Sequence, residues 1–315
     1  MTATTHPWLK ALGIEDLKSY DPCPVWEVND RRWPMPVPLG LRGNDDTNVV
    51  SLDLSEHPNG MIQGRDGSGK TTLVRELILG LCAQYGPRTV NFVLADFKGA
   101  AVFSGISELP HVKAGYEYLD DDPDRFTEMI DGISEEITQR EERLAQEGSK
   151  RLAWETPSGD GQIDVDAGTE LPPRLVVILE EPNEFLLRGT AQSGDADQEP
   201  VQRRDSAELR ALADIARRGH RVGVHLIISA GYVSPALYLP MRSDFNFGLS
   251  LATTNQHYSK FVVGEPDAAD LGEGEGLLRV SGPSGTAVSR FQGFNVDHDD
   301  TNLTVRLAQS AVSQG

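Results

Sequence analysis

Residues 64 to 71 read Gly-Arg-Asp-Gly-Ser-Gly-Lys-Thr, a full match to the phosphate-binding loop G-x-x-x-x-G-K-[ST]. The chemistry such a loop performs is the capture of a nucleoside triphosphate. Gly64, Gly67 and Gly69 let the backbone turn tightly and aim N–H groups at phosphate oxygens, where a Cβ would intrude. Lys70 adds a fixed cation, and Thr71 offers a hydroxyl to the Mg2+ that travels with ATP. With Arg65, Asp66, Ser68 and Thr72, the run 64–72 is the expected ATP contact, and Thr71 is the first expected metal ligand.

Such a loop works only between a strand and a helix, and both flanks comply. Asn59 to Gln63 can form a short buried strand, and Leu73, Leu77 and Leu81 fall on one helical face with Val74 and Ile78 beside them. Phosphate would then sit at a helix N-terminus. A glycine-rich turn before an ordinary helix is the plainer alternative; the strand–loop–helix order speaks against it.

A phosphate loop also needs a carboxylate opposite. The apolar strand Leu175-Val176-Val177-Ile178-Leu179 ends in Glu180-Glu181, where a Walker B pair is expected. Glu180 would hold Mg2+ through water, although it is one methylene longer than the more usual Asp, and magnesium tolerates little departure from octahedral geometry. Glu181 would orient or deprotonate the attacking water. The alternative is two solvated carboxylates at a strand end.

The remaining pattern supplies the frame. Strand candidates at Val90 to Ala95, Val224 to Ser229 and Phe247 to Leu251 alternate with helices near 123–147 and 204–218. That alternation predicts an α/β fold, a mainly parallel sheet covered by helices on both faces with right-handed crossovers. Residues 1–45, rich in Pro and Trp (Trp8, Trp26, Trp33), are expected to be an extended N-terminal arm, residues 46–296 the ATPase domain, and residues 297–315 a tail with a short Leu303, Val305, Leu307 pattern. Stretches 148–173 and 189–202 read as surface loops. The acid-rich run 117–136 reads as a solvated helix face rather than a cation site.

Composition narrows the function. The 315 residues hold 29 Lys plus Arg against 48 Asp plus Glu, a formal net charge of -19, which opposes binding to a polyanion. Two cysteines, Cys23 and Cys82, make no disulfide or metal framework and fit a reducing compartment. With no apolar run of membrane-spanning length and no signal peptide, the chain reads as soluble and unexported, so membrane attachment would come through a partner or a missing segment. No histidine stands at metal-ligand spacing, and His225, inside an apolar strand, reads as a core residue.

Asp96-Phe97-Lys98-Gly99-Ala100, then Phe103, Gly105 and Leu109-Pro110-His111, resembles the DFKGG…F.GL..LPH signature of the EccC/EssC ATPases of type VII secretion, within the wider FtsK/SpoIIIE family. Gly223 to Ser229 is similar to that family's GVHLLLASQ segment, and Val263 to Ala268 to its GVPDA segment. Val37-Pro38-Leu39-Gly40 and Gly276-Leu277-Leu278-Arg279 extend the likeness over residues 34–295, and the first, membrane-proximal ATPase module resembles the chain most. The resemblance implies a RecA-like P-loop motor at the cytoplasmic face of the cell membrane. Its partners would be adjacent ATPase modules or other secretion subunits, and its substrates WXG-type helical-hairpin proteins. It also implies an arginine supplied by a neighbouring module to the transferring phosphoryl group. Arg203, Arg204, Arg210, Arg217, Arg218 and Arg221 are the candidates, each also readable as part of a salt-bridged helix surface.

Four positions depart from the family pattern: Asp66 for Thr, Glu180 for Asp, Ala230 for Gln and His220 for Arg. Together they point to weak nucleotide affinity or slow turnover. Asp96 and Lys98, at a strand end, read as supporting residues, and Ser229 as either a γ-phosphate contact or a plain buried hydroxyl. Three function classes follow: an ATP-binding module of a protein-export motor, a catalytically degenerate scaffold acting through its interfaces, and, disfavoured by charge, a DNA translocase.

Overall fold

Three strands with almost no solvent contact form the centre: β4 (Val90–Asp96), β6 (Arg174–Glu180) and β7 (Val224–Ala230) are buried at every position. Near-continuous apolar runs of this kind suit strands covered on both faces. Alternate residues divide accordingly. Phe92, Leu94, Val176 and Ile178 join one core, while Val93, Ala95, Val177 and Leu179 join a second on the opposite face. These strands belong to a computed structural model that describes residues 6–30, 34–43, 47–99, 102–146, 172–187, 207–282, 285–296 and 299–312. Trp33, Ala100, residues 148–171 and 189–202, Arg203, Arg204 and Asp205 lie outside them.

The sheet has ten strands in the order β2-β1-β10-β9-β8-β3-β7-β6-β4-β5. Its parallel half comprises β8 (Phe247–Ser250), β3 (Gly60–Gln63), β7, β6, β4 and β5 (Val112–Glu117). The RecA-like expectation holds for this half. The sequence pattern does not announce the parallel edge strand β5, nor the antiparallel extension of β9 (Glu275–Gly282), β10 (Gly285–Gly293), β1 (Pro36–Leu41) and β2 (Val49–Asp53). Strand β10 is exposed along much of its length and carries little apolar signal.

The phosphate-loop helix α3 (Lys70–Gln84) lies in the first core; α4 (Pro123–Gln146) and α6 (Ala207–Gly219) lie in the second. Phe126, Ile130, Ile133, Ile137 and Leu144 give α4 its buried stripe, while Asp124, Glu128, Asp131 and Glu135 face solvent. That is the solvated acidic face expected from composition. Among the described residues no helix is long and apolar enough to cross a membrane.

The described residues within 1–45 do not form the expected extended arm. They carry α1 (Pro7–Ala11) and α2 (Cys23–Asn29), bury Trp8 and Trp26, and then enter the sheet as β1. The segment serves the end of α3, whose last carbonyls lack partners within the helix. Trp26 Nε1 donates to the Cys82 carbonyl at 2.9 Å, the Tyr20 hydroxyl to Ala83 at 2.7 Å and the Asn29 amide to Gln84 at 2.9 Å. The expected tail likewise holds a helix, α9 (Asp299–Val312), packed on α3 through buried Leu303 and Leu307. Arg75 of α3 pairs with Asp300 at 2.7 Å. Pro and Trp content suggested extension because the docking partners lie 55 or more residues away in sequence.

His111 joins the same end of the molecule. Its Nε2–H donates to the Tyr85 carbonyl at 2.8 Å, and its ring meets Trp26 edge-on. Burial pulls its imidazole down to about 4, with the Tyr85 bond opposing. An unfolded His takes up a proton below about 6.5, whereas the folded one resists until about 4, so stability falls as pH drops through that window. The full penalty is about 3 kcal/mol. Buried His225, depressed by burial and then by Arg174 and Arg140, acts with the same sign. Thermal melts between pH 7 and 4 should show this loss, and His111→Gln should reduce it; an equal slope in both proteins would remove His111 as its source.

Candidate functional site

The phosphate loop leaves β3 and is tied to the two strands that flank it. Gly64 N–H donates to the Ala230 carbonyl at 3.3 Å and Arg65 N–H to the Ala252 carbonyl at 2.8 Å. A Cβ on Gly64 would stand 2.4 Å from Ser68 Oγ and 3.0 Å from Leu251 Cβ, so that position requires glycine on space alone. Gly67 and Gly69 have open space but positive φ, 74° and 92°, so there the backbone conformation makes the demand. Gly69 caps α3 without a side-chain hydrogen bond, which leaves the first-turn N–H groups available to an anion.

Opposite the loop, the ends of β4, β6 and β7 stand in register, Asp96 beside Glu180 and Glu180 beside Ser229. Lys70 crosses to this row, bonding Glu180 Oε1 and lying 2.9 Å from Glu181 Oε1. Burial alone would lower the Lys70 ammonium, but Glu180 and Glu181 more than offset it and hold it above the usual lysine range. Burial also raises the Glu180 carboxyl, with Lys70 opposing. Glu181 departs from ordinary backbone: its φ is 56°, and its N–H donates to the Ser229 carbonyl at 2.7 Å. A non-glycine residue held there costs on the order of 1–3 kcal/mol, a strain that concentrates at working sites.

The fold thus brings Lys70, Glu180 and Glu181 into one contact group at the loop. Thr71 is exposed in the first turn of α3, and Arg65 and Asp66 project into solvent, where water screens the Asp66 charge. The Ser229 hydroxyl bonds the Glu180 carboxyl, while the buried Ser68 Oγ lacks a hydrogen-bond partner. An unsatisfied buried hydroxyl beside a bare helix N-terminus, facing a buried carboxylate, fits a site made for a polyphosphate and a hard cation. Asp96 turns inward and accepts from its own loop, from Lys98 N–H at 3.0 Å and Gly99 N–H at 2.9 Å, while Lys98 pairs with Glu184 at 3.2 Å. Both support the turn and neither enters the Lys70 group.

Of the arginine candidates, Arg217 pairs with Asp214, and Arg218 bridges Asp214 and Glu141. Arg221 is exposed at the start of β7, the end of the sheet away from the loop. Sequence reasoning missed a cavity of about 430 Å³ between the start of α3 and the end of β10, with Glu76 in its lining. The fourfold spacing of Thr72 and Glu76 on one helix face was the available signal.

Residues 25–237 match the FtsK/SpoIIIE family. The chain belongs to that family. Among FtsK/SpoIIIE relatives, it is 30% identical to the ESX secretion system protein EccC of Thermomonospora curvata over 86% of this chain and 20% of that one. It is 26% identical to the type VII secretion system protein EssC of Staphylococcus aureus over 84% of this chain and 16% of that one. The cytoplasmic domain of the Thermomonospora curvata type VII secretion ATPase EccC superposes with a TM-score of 0.77 at 26% identity, covering 98% of this chain and 34% of that structure. This FtsK/SpoIIIE chain spans between 16% and 31% of the length of these and similar curated relatives.

Proposed function

We propose that the chain is an ATP-binding motor module of a type VII-like protein secretion system, in which hydrolysis depends on a partner. The observation that carries this reading is the joining of Lys70 to Glu180 and Glu181 beneath an uncapped helix N-terminus. When ATP enters, Lys70 exchanges carboxylate partners for phosphate oxygens and frees both glutamates. Glu180, with Thr71, would hold Mg2+, which supplies charge neutralisation on the phosphates. Glu181 then takes the proton of the attacking water. The phosphate-loop N–H groups orient the triphosphate and stabilise developing charge on its oxygens.

Arg217 and Arg218 are committed to carboxylates within the chain, which supports supply of the transition-state arginine from a neighbouring module. The expected partners are other ATPase modules and secretion subunits, with WXG-type proteins as cargo and the cytoplasmic face of the membrane as the place of work. The expected result is slow phosphate release by the chain alone and release at least tenfold faster when neighbouring modules are added. Equal rates would discard partner dependence. The scaffold reading draws on the same contact, since a Lys70 held by two glutamates describes a closed site; absence of Mg-ATP binding to the folded chain would favour it.

A further inference from the structure

The cavity beside Gly67, Ser68 and Gly69 is walled by Thr72 and Glu76 of α3 and by residues 292–295 at the end of β10, with Leu251 and the turn before β9 completing it. Glu76 is 1% exposed, and its Oε1 is sealed from solvent without a hydrogen-bond partner. The Ser68 hydroxyl lining the same cavity is in the same condition. Leaving such groups unsatisfied destabilises the folded chain, and a ligand that satisfies them recovers that loss. Burial, reinforced by Asp300, holds the Glu76 carboxyl well above the usual carboxylate range. Burial therefore favours its protonated form, which presents one donor and one acceptor side by side.

We infer that Glu76, whose buried and unpartnered oxygen lines this cavity, reads the base of the bound nucleotide, its carboxyl pairing with the adenine edge through the 6-amino group and the adjacent ring nitrogen. Adenine presents a donor and an acceptor next to each other on that edge, the complement of a protonated carboxyl. The spacing agrees. Glu76 stands six residues beyond Lys70, about 9 Å along the helix axis, so one nucleotide can lie along α3 with its phosphates at the N-terminus and its base at the second turn. This inference rests on the reading of residues 64–71 as the phosphate site.

The test is isothermal titration of the wild type, Glu76→Gln and Glu76→Leu with three ligands: Mg-ATP, the magnesium complex of purine riboside triphosphate (ATP without the 6-amino group), and magnesium tripolyphosphate. Glu76→Leu should weaken Mg-ATP about tenfold or more, the worth of two hydrogen bonds. Glu76→Gln, which retains a donor and an acceptor, should stay within about threefold of wild type. Tripolyphosphate should bind all three proteins alike. Wild type should favour ATP over the 6-deamino analogue, and Glu76→Leu should not. The Leu variant should melt at or above the wild-type temperature, because an apolar side chain replaces an unsatisfied acid. Unchanged ATP affinity in Glu76→Leu, retained discrimination between ATP and the analogue, or an equal loss for tripolyphosphate would each overturn the assignment while leaving the phosphate site standing. Failure of both ATP and tripolyphosphate to bind folded wild type would sink the phosphate-site reading, and this inference with it.

Discussion

Lys70→Ala is expected to lower Mg-ATP affinity at least a hundredfold and to lower the melting temperature as well. Both effects have one origin. Lys70 is the cation aimed at the phosphates, and in the resting chain it bonds Glu180 and Glu181. Its removal leaves the Glu180 side chain, 2% exposed, beside a second carboxylate with no compensating charge. Breaking a buried pair from one side costs roughly 3–5 kcal/mol, a sum that Glu180 reduces by taking up a proton. The two effects separate in Lys70→Ala/Glu180→Gln, which should regain most of the lost melting temperature and none of the lost affinity. Titration of Mg-ATP into both variants, beside thermal melts, measures each. An affinity within threefold of wild type in the well-folded double variant would mean that residues 64–71 do not hold the nucleotide.

Glu181→Gln should leave Mg-ATP affinity unchanged or modestly raised and slow phosphate release of the assembled modules by about 10²–10⁴, the usual share of a general base. The amide keeps the shape and the hydrogen-bonding reach of the side chain but cannot accept the proton. It also keeps the backbone at a φ of 56°, so the strain at this position is the same in both proteins. The affinity follows from charge: the substitution removes one negative group from the neighbourhood of the phosphates. Turnover of the full assembly that does not change would point instead to the scaffold reading, in which this module acts through its interfaces.

The sequence alone determined the parts whose chemistry is local. The loop from Gly64 to Thr71, the strand ending in Glu180-Glu181 and the strand from Val224 are contiguous runs, and a run carries its own period, its own glycines and its own acid pair. The order of those runs, with the motifs around Asp96 and His111, was enough for the family and for five of the six parallel strands, β5 being the exception. Tertiary structure alone decided what depends on distant residues meeting. Trp26, Tyr20 and Asn29 dock on the last carbonyls of α3 across more than fifty positions, turning an apparent arm into a helix clamp. Strands β1 and β10, neighbours in the antiparallel extension, find each other from opposite ends of the chain. Glu76 is buried and shares a cavity with the phosphate loop and the end of β10, a meeting that no local run of sequence announces. A carboxyl's protonation follows from what surrounds it, and those surroundings come from parts of the chain that no local pattern connects.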